Sequence, residues 1–436
     1  MFAKIAKDET NLTLTENGAI ALRSTNSALL DLFSVCGAMR QLEQEEIEKY
    51  LLNAYDENPL LTLKLIFYTR NIRGGLGERR AFRIMLRKLA TINPEAVIRN
   101  IYFIPFFGRW DDLYCLVGTE AESAAFEFIR QTIEEDVMLM KQGQPISLAA
   151  KWLKSINASS KESRELGKLT AKYLLLSEKE YRRLLSKLRA YIDVTERKMS
   201  HNDWDKIEYP KVPSIAMKNY RNAFIRHDEE RFTNYLHDVE KGIEKINAST
   251  LYPYDILQAG KLREKGLSGT FYIEDDPVLE EQWKSLPNYI EGNNNVLVMA
   301  DTSASMEDDN GRPLATSIGL ALYFAERNSG PYKDLFLTFS REPRYVVVKG
   351  NSLKEKISSI PAIVQNTNIE KAFELVLQTA LDNNLPNEEL PKAIIIISDM
   401  QFDMAQDIDG NVPIMKAVEK KYAEHGYALP KIIYWQ

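Results

Sequence analysis

The first 290 residues carry apolar side chains at spacings of three and four, the pattern of helices that bury one face. The stretch 79–91 shows this clearly, because Leu86 and Leu89 recur there among basic residues. A strict alternation of apolar and polar residues, which would indicate half-buried strands, is not evident in this part of the sequence. The pattern therefore predicts an all-helical N-terminal region.

Successive helices joined by short turns predict a solenoid-like, helical-repeat domain. The predicted helices cover 28–54, 58–70, 79–91, 123–143, 166–196 with a break, and 228–247. Between two of them, the glycine-rich turn Asn71–Gly77 is typical of a helix stop followed by a new helix start. A phosphate-binding glycine loop is the alternative for this turn, although no apolar strand precedes it.

The pattern changes near residue 290. Residues 266–295 contain Gly, Pro and three consecutive Asn residues, so we predict an irregular segment there and place a domain boundary between residues 290 and 291. Beyond it, short apolar runs alternate with amphipathic stretches. Such alternation predicts an α/β fold with a doubly wound, mostly parallel sheet covered by helices.

The expected domains are thus 1–290, an α-helical repeat domain, and 291–436, an α/β domain. The predicted strands are 296–300, 335–339, 345–348, 393–397 and 431–435, and the predicted helices between them are 313–327, 353–359, 369–381 and 413–424. Because the chain stops at Gln436, just after a predicted strand, we expect a C-terminal truncation of this domain.

Charge is unevenly distributed between the two parts. Residues 1–290 hold 42 Lys and Arg against 42 Asp and Glu, whereas residues 291–436 hold 14 against 20, so the formal net charge of −6 belongs to the C-terminal part. Within the neutral part, residues 151–200 contain 13 basic and 6 acidic residues. This excess is a candidate polyanion-binding surface, although an ordinary solvated helix face explains most of these charges.

The remaining composition narrows the class of protein. No apolar run approaches roughly 18 residues, and no basic and then apolar segment opens the chain, so neither a membrane span nor a secretory signal is predicted. Two cysteines cannot supply a disulfide framework or a cysteine-based zinc site, and the four histidines are scattered. We therefore expect a soluble, cytoplasmic protein.

The first predicted strand of the C-terminal part leads directly into Asp301–Ser305, of sequence Asp-Thr-Ser-Ala-Ser. The turn after a strand of a parallel sheet lies at its carboxyl edge, where open α/β sheets bind their ligands. One carboxylate and two hydroxyl groups offer only oxygen ligands, which suits a hard cation such as Mg²⁺, or alternatively Mn²⁺ or Ca²⁺. A polar loop with Thr367 and a strand end with Asp399 bring further oxygens to the same predicted edge.

Each part of this candidate site also has an ordinary structural explanation. Thr367 and Glu370 fit a capping box, in which both side chains satisfy free amides at a helix start. Asp399 is equally suited to capping a loop, and Ser303 to turning the chain. The same fold without a bound metal is a further alternative. The argument for a cation site is that three oxygen-bearing segments converge on one edge.

In their order and spacing, these segments resemble the metal-ion-dependent adhesion site of von Willebrand factor A domains, which have a Rossmann-like, doubly wound α/β fold. The resemblance covers residues 292–436. It implies Mg²⁺ bound directly by three hydroxyl groups, with two carboxylates close behind, and one open position for a partner's carboxylate. The implied ligands are Ser303, Ser305 and Thr367, followed by Asp301 and Asp399.

The segment Met306–Arg312 departs from that family pattern. We expect an inserted acidic loop here, after which the next helix begins at Pro313. Such a loop would repel a nucleic-acid phosphate that approached the metal, and it would either supply an extra ligand or shield the open position. The plainer alternative is a solvated loop without a role. If the protein binds RNA, we expect the helical region to do so.

A helical region followed by an A domain resembles the Ro (TROVE) ribonucleoproteins, in which a helical ring binds RNA. Several strings are more similar still to the domain-of-unknown-function family 2828, and this resemblance spans most of the chain. The strings are Arg70–Arg79, Gly108–Leu113, Val212–Met217 and Phe224–Asp228. The resemblance names a relative without implying an activity.

Two functions are compatible with these observations. The first is a Ro-like RNA-binding protein, whose helical region contacts RNA and whose A domain binds Mg²⁺ to recognise a partner. The second is a metal-dependent protein–protein adaptor with no role in RNA binding. The candidate RNA-binding residues are Arg73, Arg79, Arg80, Lys151, Lys154, Arg182 and Arg183.

An enzyme is the least favoured class. No nucleophile with an adjacent base is evident, and no His lies near the three segments of the candidate metal site. The pair Asp111–Asp112 after Gly-Arg-Trp is typical of capping at a helix start, and we expect Arg109 and Trp110 to pack a loop between helices. We therefore expect no catalytic residues.

Overall fold

The computed structural model describes residues 12–14, 20–22, 24–40, 42–192, 194–265, 269–290, 295–340, 342–362, 368–398 and 414–435. A helical region over residues 24–290 precedes an α/β region with a five-stranded, mostly parallel sheet, as the hydrophobic pattern predicts. By their internal contacts, the residues form two compact units. One unit is residues 24–207, and the other is residues 208–436 together with residues 1–23.

The helices of the 24–207 unit follow one another through short turns. They are α1 (Ala28–Val35), α2 (Gln44–Glu57), α3 (Pro59–Arg70), α4 (Arg80–Ile92), α5 (Pro94–Arg99), α6 (Phe103–Phe107), α7 (Glu122–Lys141), α8 (Ala149–Trp152), α9 (Lys161–Tyr173), α10 (Glu178–Ile192) and α11 (Thr195–Ser200). A 3₁₀ helix, Trp110–Leu116, lies between α6 and α7. No described helix of the protein is long and apolar enough to cross a membrane.

Local signals in the sequence set several of these helix starts. At α3, the Asn58 side chain accepts a hydrogen bond from Leu61 N at 3.0 Å, and Pro59 follows at a position where a missing N–H costs little. The pair Asn93–Pro94 begins α5 in the same way. Along α4, Phe82, Met85, Leu86 and Leu89 form one fully buried stripe, which is the predicted amphipathic pattern.

The prediction of one continuous helix over 28–54 is wrong, because α1 and α2 are separated by residues 36–43. Gly37 lies in this break, and glycine is among the poorest helix formers. Cys36 and Met39 lie in this break, and both side chains are fully buried in the core of the unit. Burial of these two side chains therefore compensates for the helical hydrogen bonds that the break gives up.

The turn Asn71–Gly77 is a helix stop, as predicted. Asn71 Oδ1 accepts hydrogen bonds from Arg73 N and Gly74 N, and the amides of residues 72 and 75–78 donate to nearby backbone carbonyls. A Cβ on Gly75 would lie 2.0 Å from the Tyr68 carbonyl oxygen, so the chain approaches too closely for any other residue. Because every amide of this segment is engaged, the phosphate-binding alternative is not supported.

The 208–436 unit contains two small antiparallel strand pairs and the large sheet. The pairs are β1 (Leu12–Leu14) with β2 (Ile20–Leu22) and β3 (Arg263–Lys265) with β4 (Thr270–Tyr272). The sheet consists of β5 (Val296–Asp301), β6 (Leu335–Phe339), β7 (Tyr345–Val347), β8 (Ala393–Ile397) and β9 (Lys431–Trp435). The expectation of no strands before residue 290 is therefore wrong for four short strands, which are too brief to show alternation.

The 208–436 unit also contains seven described α-helices. They are α12 (Ser214–Glu240), α13 (Pro253–Ala259), α14 (Pro277–Lys284), α15 (Asp308–Arg327), α16 (Leu353–Ser358), α17 (Ile369–Asp382) and α18 (Ile414–Glu424). The helix predicted over 228–247 begins earlier and ends earlier, and α12 is kinked at Asp228 (φ −151°, ψ 47°). Asp228 Oδ2 accepts a hydrogen bond from the Tyr209 hydroxyl at 2.7 Å at this kink.

The sheet has the strand order β7-β6-β5-β8-β9, with β7 antiparallel and the others parallel. Alternate residues of β5 point to opposite faces, so Val298 and Ala300 join one apolar cluster while Leu297 and Met299 join the other. Helices α13, α14, α15 and α16 cover the first face, and α17 and α18 cover the second. A central strand covered by helices on both faces is apolar throughout, which explains the uninterrupted runs.

The two compact units meet in sequence at residues 207 and 208, whereas the expected domain boundary is at residue 290. Leu257 of α13, Phe271 of β4 and Trp283 of α14 are buried in the same cluster as β5 and α15. Gly319 of α15 allows α13 to pack closely, because a Cβ there would lie 3.1 Å from Pro253 Cβ. One face of the sheet is thus covered in part by elements that precede residue 290.

The segment 266–295, predicted to be irregular, contains β4 and α14 within its described residues. Asp276 caps α14 by accepting hydrogen bonds from Val278 N and Leu279 N, and Pro277 occupies the first position of the helix. The helix is only eight residues long. Its stability therefore depends on packing against the sheet more than on its own sequence.

Candidate functional site

Three neighbouring parallel strands end in hydroxyl or carboxylate side chains at one edge of the sheet. Strand β5 ends in Asp301, while Ser340 follows β6 and Ser398 follows β8. The register places Asp301 opposite Phe339 and Ala300 opposite Ile397, so the three strand ends are level. The chain proceeds from β5 to β6 on one side, whereas β8 lies on the other side of β5. This is the switch point at which ligands of open α/β sheets bind.

Asp301 is fully buried, and both of its carboxylate oxygens accept hydrogen bonds. Ser303 N donates to Oδ1 at 2.8 Å, and Ser398 Oγ donates to Oδ2 at 2.5 Å. The first bond closes the turn after β5, and the second joins this turn to the end of β8. These two bonds fix the orientation of a carboxylate at the switch point.

Ser398 is a site residue that the sequence argument did not assign. It stands one position beyond β8, and the strand register places it beside Asp301. The signal was available in principle, since Ser398 directly follows an apolar run of isoleucines. Predicting the contact required knowing that β8 pairs with β5, which the pattern of one strand does not reveal.

The hydroxyl groups of Ser303 and Ser305 lie together on the outer side of the turn. Their oxygens are 3.1 Å apart, with Ser303 half-buried and Ser305 exposed. In an octahedral Mg²⁺ site with bonds of about 2.1 Å, neighbouring ligand oxygens are roughly 3 Å apart. The observed separation therefore fits two adjacent ligands of such an ion, on the solvent side of Asp301.

The other two predicted ligands, Thr367 and Asp399, lie outside the described residues. The helix start after Thr367 is described, however, and there Asn368 is the capping residue. Its Oδ1 accepts a hydrogen bond from Lys371 N at 3.0 Å, and the carboxylate of Glu370 pairs with Lys421 Nζ at 2.8 Å. Asn368 is therefore the described cap of α17, whereas the capping box of Thr367 and Glu370 depends on a residue outside the described part of the chain.

The acidic segment after Ser305 is more helical than predicted. A 3₁₀ turn covers Ala304–Glu307, and α15 is assigned from Asp308, so the helix does not begin at Pro313 but contains it. Asn310 (φ 58°) and Gly311 (φ 71°) adopt left-handed backbone, which interrupts the helix shortly before the proline.

Among the described residues, no group of three or more His, Cys, Asp or Glu side chains could hold a metal ion. The described oxygen donors at the sheet edge, one carboxylate and two hydroxyl groups, would suit a hard cation such as Mg²⁺ better than a transition metal. Because few protein charges surround such an ion, the ion stays electrophilic. The donor set fits a hard cation that takes an additional acidic oxygen from outside.

A second cluster of charged residues lies in the 24–207 unit, around Asp111 and Asp112. Asp111 Oδ2 is 2.7 Å from Arg109, 3.1 Å from Arg83 and 3.8 Å from Lys154. Burial raises the pKa of Asp111, but the hydrogen bond from Arg109 and the charges of Arg109 and Arg83 lower it below its ordinary value overall. Three cationic side chains thus lie within 3.8 Å of one carboxylate oxygen.

Asp112 lies beneath this group and is completely buried. It accepts hydrogen bonds from Arg70 Nε at 2.7 Å, from Arg83 Nε at 2.7 Å and from Arg109 N at 2.9 Å. The last bond is the capping interaction that the sequence predicts at the 3₁₀ helix. The two arginine pairs were not predicted, because their partners are 42 and 29 residues away in the sequence.

The structure brings three of the predicted RNA-binding residues to this cluster. Lys154 faces Asp111, and Lys151 Nζ lies 5.6 Å from the Trp152 ring centre, over which Arg109 stacks at 4.1 Å. Burial and then the charges of Arg109 and Arg83 lower the pKa of Arg79, which follows Glu78 directly before α4. Arg109 stacks on Trp152, and the expectation that it only packs a loop was too simple.

The other predicted RNA-binding residues lie elsewhere in the described part of the unit. Arg73 donates to the Phe106 carbonyl at 3.0 Å, and Arg80 donates to the carbonyls of Met39 and Leu42. Arg80 is therefore held by its backbone partners. Arg182 and Arg183 are exposed on α10, and the structure gives neither a bond to the cluster around Asp111.

Comparison with known proteins covers nearly the whole chain. The family model described as Domain of unknown function (DUF2828) matches residues 15–132 and 150–295, and the model described as Domain of unknown function (DUF7788) matches residues 295–436. A curated relative, "Uncharacterized protein L728" of Acanthamoeba polyphaga mimivirus, is 27% identical over 98% of this chain and 79% of its own length. No solved structure matches the chain.

Proposed function

We propose, from the premise that this chain belongs to the DUF2828 family, that it is a non-catalytic recognition protein whose sheet edge binds Mg²⁺. In this proposal the α/β region is a von Willebrand factor A-like domain. Asp301, Ser303 and Ser305 belong to its adhesion-type metal site, which Thr367 and Asp399 complete. The bound ion recognises a carboxylate of a protein partner.

The observation that carries this proposal is the arrangement of the turn after β5. Asp301 is oriented by hydrogen bonds to both of its oxygens, from Ser303 N and Ser398 Oγ. The hydroxyls of Ser303 and Ser305 stand 3.1 Å apart on the solvent side. Oxygen ligands at a strand-order switch point support cation binding over a purely structural turn.

The chemistry of the ligands supports recognition over catalysis. Neutral hydroxyl groups leave most of the charge of the ion uncompensated, so an acidic oxygen from another molecule is a favourable further ligand. The described part of the site has no histidine, cysteine or lysine beside the hydroxyls to activate a nucleophile. We therefore assign the site to binding a carboxylate, such as a partner's Asp or Glu side chain.

The test is whether a carboxylate displaces water from the bound ion. With Mn²⁺ in place of Mg²⁺, the purified chain should enhance the relaxation of water protons, because open positions carry exchangeable water. Adding glutarate, a mimic of a Glu side chain, should reduce this enhancement in a saturable way. An enhancement that glutarate leaves unchanged would contradict the proposal that the ion has a position open to carboxylates.

Matched serine variants separate this site from adventitious Mn²⁺ binding. Ser303→Ala and Ser305→Ala should each weaken Mn²⁺ binding, because each removes one proposed ligand. Ser285→Ala changes an exposed serine of the same unit away from the turn and should have no effect. Equal Mn²⁺ affinities in all three variants would show that the ion binds away from the turn after β5.

A second function, Ro-like RNA binding by the helical region, is favoured by one observation. Arg79, Lys151 and Lys154 gather near Asp111 together with Arg83 and Arg109, which gives that surface an excess of positive charge. Phosphate contacts of this kind make binding strongly dependent on salt. We expect a single-stranded RNA to bind at low salt and its affinity to fall steeply as the salt concentration rises. Absence of binding at low salt would contradict this second function, and the metal-dependent adaptor would be the remaining proposal.

A further inference from the structure

Cationic side chains outnumber carboxylates in the cluster around Asp111 and Asp112. Arg83, Arg109 and Lys154 all approach Asp111 Oδ2 within 3.8 Å. Arg70 and Arg79 add two more positive charges, so five cations accompany two carboxylates. Such an excess is costly where the groups are partly shielded from water, and a bound anion would relieve it.

The inner residues of the cluster are held rigidly. Arg70 and Asp112 are 3% and 0% exposed, and they pair at 2.7 Å. Asp112 also binds Arg83, whose side chain is 32% exposed and whose buried Nη2 lies 2.7 Å from Asp112 and 3.1 Å from Asp111. A Cβ on Gly108 would lie 2.5 Å from Asp112 Oδ2, so the chain closes tightly over this pair.

Arg109 is fixed in the same way. Its guanidinium donates two hydrogen bonds to Asp111, at 2.9 Å and 2.7 Å, and stacks 4.1 Å from the Trp152 ring centre. Arg109 therefore presents its remaining N–H groups in one defined place. A ligand that binds these groups loses little side-chain entropy, because the protein has already ordered them.

Arg79 differs from its neighbours because it is exposed and has no counter-ion of its own. Within the described part of the chain, its side chain makes no hydrogen bond and no ion pair, although its carbonyl oxygen accepts a bond from Arg83 N at 3.1 Å. Burial and the like charges of Arg109 and Arg83 lower the pKa of Arg79, whereas Asp111 and Asp112 partly offset this effect. An anion that accepts N–H groups from Arg79 and from the arginines of the cluster would relieve this repulsion.

The surroundings favour a polyanion over a small phosphate ester. Lys154, Lys151 and Trp152 of the cluster belong to residues 151–200, which contain 13 basic and 6 acidic residues. Lys151, whose Nζ lies 5.6 Å from the Trp152 ring centre and 3.9 Å from Glu196, extends the cationic side chains beyond those that contact Asp111. A nucleic-acid strand uses such an extended surface, whereas a single phosphate group does not.

We propose that Arg79, Arg83, Arg109 and Lys154 form a binding site for a backbone phosphate of single-stranded RNA. Asp111 and Asp112 position the arginines, and Arg70 supports Asp112 from within the core. The nature of the ligand rests on the RNA-binding function proposed above, whereas the anion site itself follows from the charges and their geometry. Neither the metal nor the sheet edge takes part in this site.

The test is a titration of the full chain with a fluorescent single-stranded RNA of roughly 12–16 nucleotides at low salt, followed by anisotropy. Arg79→Ala and Lys154→Ala should each weaken binding about tenfold, as expected for loss of a charge-assisted phosphate contact. Each should also reduce the salt dependence by about one phosphate. Lys141→Ala and Arg99→Ala, which change exposed cations of the same unit outside the cluster, should leave binding within about twofold.

Stability and phosphate measurements make the outcome decisive. Arg79→Ala should not lower the Tm, because the Arg79 side chain has no described bond to lose, so weakened binding cannot be ascribed to unfolding. Inorganic phosphate at constant ionic strength should raise the Tm of the wild type and raise that of Arg79→Ala less.

Each outcome bears on either the site or the function. Phosphate stabilisation that depends on Arg79 without any RNA binding would support the anion site and overturn its assignment to RNA. RNA binding that neither Arg79→Ala nor Lys154→Ala weakens would overturn the site and leave the RNA-binding function standing. Absence of both RNA binding and phosphate stabilisation would overturn both.

Discussion

Replacing Asp112 by Ala should lower the free energy of unfolding of the 24–207 unit by about 3–5 kcal/mol, because it leaves a buried arginine without its counter-ion. Arg70 is 3% exposed and pairs with Asp112 at 2.7 Å. Asp112 also accepts bonds from Arg83 and from the Arg109 amide.

The measurement is denaturant unfolding followed by circular dichroism, with two companion variants. Asp112→Asn keeps the shape and one acceptor oxygen, so it should lose less stability than Asp112→Ala. Asp56→Ala removes an exposed aspartate from α2 and should change stability by less than about 0.5 kcal/mol. If Asp112→Ala were as stable as Asp56→Ala, the network would not have the structural role assigned to it.

The large sheet was predictable from the sequence because its central strands are buried on both faces. The bounds of β6, β8 and β9 are those that the apolar runs predict, and β5 is one residue longer. A short apolar run such as the isoleucines of β8, flanked by turn residues, predicts a buried strand. Strand β7, at the edge of the sheet, was predicted one residue too long.

Breaks and partners were harder to predict, because they depend on contacts that are distant in sequence. The interruption at Gly37 and the kink at Asp228 occur where burial of Cys36 and Met39, or a bond from Tyr209, competes with helical hydrogen bonds. An amphipathic stretch shows that one face is buried, but it does not show what covers that face. For this reason the packing of α13 and α14 on the sheet could not be predicted.

The part of the candidate site that lies within one turn could be predicted from the sequence. Asp301, Ser303 and Ser305 lie together as expected, since they are neighbours in sequence. Ser398 joins them through strand pairing, and Arg83 joins Asp111 and Asp112 through helix packing. Both contacts require the tertiary fold, which local patterns specify only in part.

Replacing Asp301 by Ala should abolish Mg²⁺ binding, with a loss of affinity greater than about 100-fold. Asp301 supplies the negative charge of the described part of the site, and it also orders the turn by accepting a hydrogen bond from Ser303 N. Its removal therefore takes away a charge and disturbs the placement of both hydroxyl groups. The helical signal in circular dichroism should change little, because Asp301 lies at a strand end outside the helices.

Two further variants control for effects on folding and on surface charge. Asp301→Asn preserves the size of the side chain and can still accept a bond, so it should keep the fold while it weakens the metal site. Asp382→Ala removes an exposed carboxylate from the end of α17 and should leave Mg²⁺ binding unchanged. These controls distinguish a specific site from weak attraction of cations to the acidic C-terminal part.

The most direct measurement of the central claim is isothermal titration calorimetry of the wild type and Asp301→Ala with Mg²⁺. The account predicts saturable binding of one ion per chain for the wild type and no binding for Asp301→Ala under the same conditions. Unchanged Mg²⁺ affinity in Asp301→Ala, or a wild type that binds no Mg²⁺, would contradict the assignment of a metal site to the carboxyl edge of the sheet.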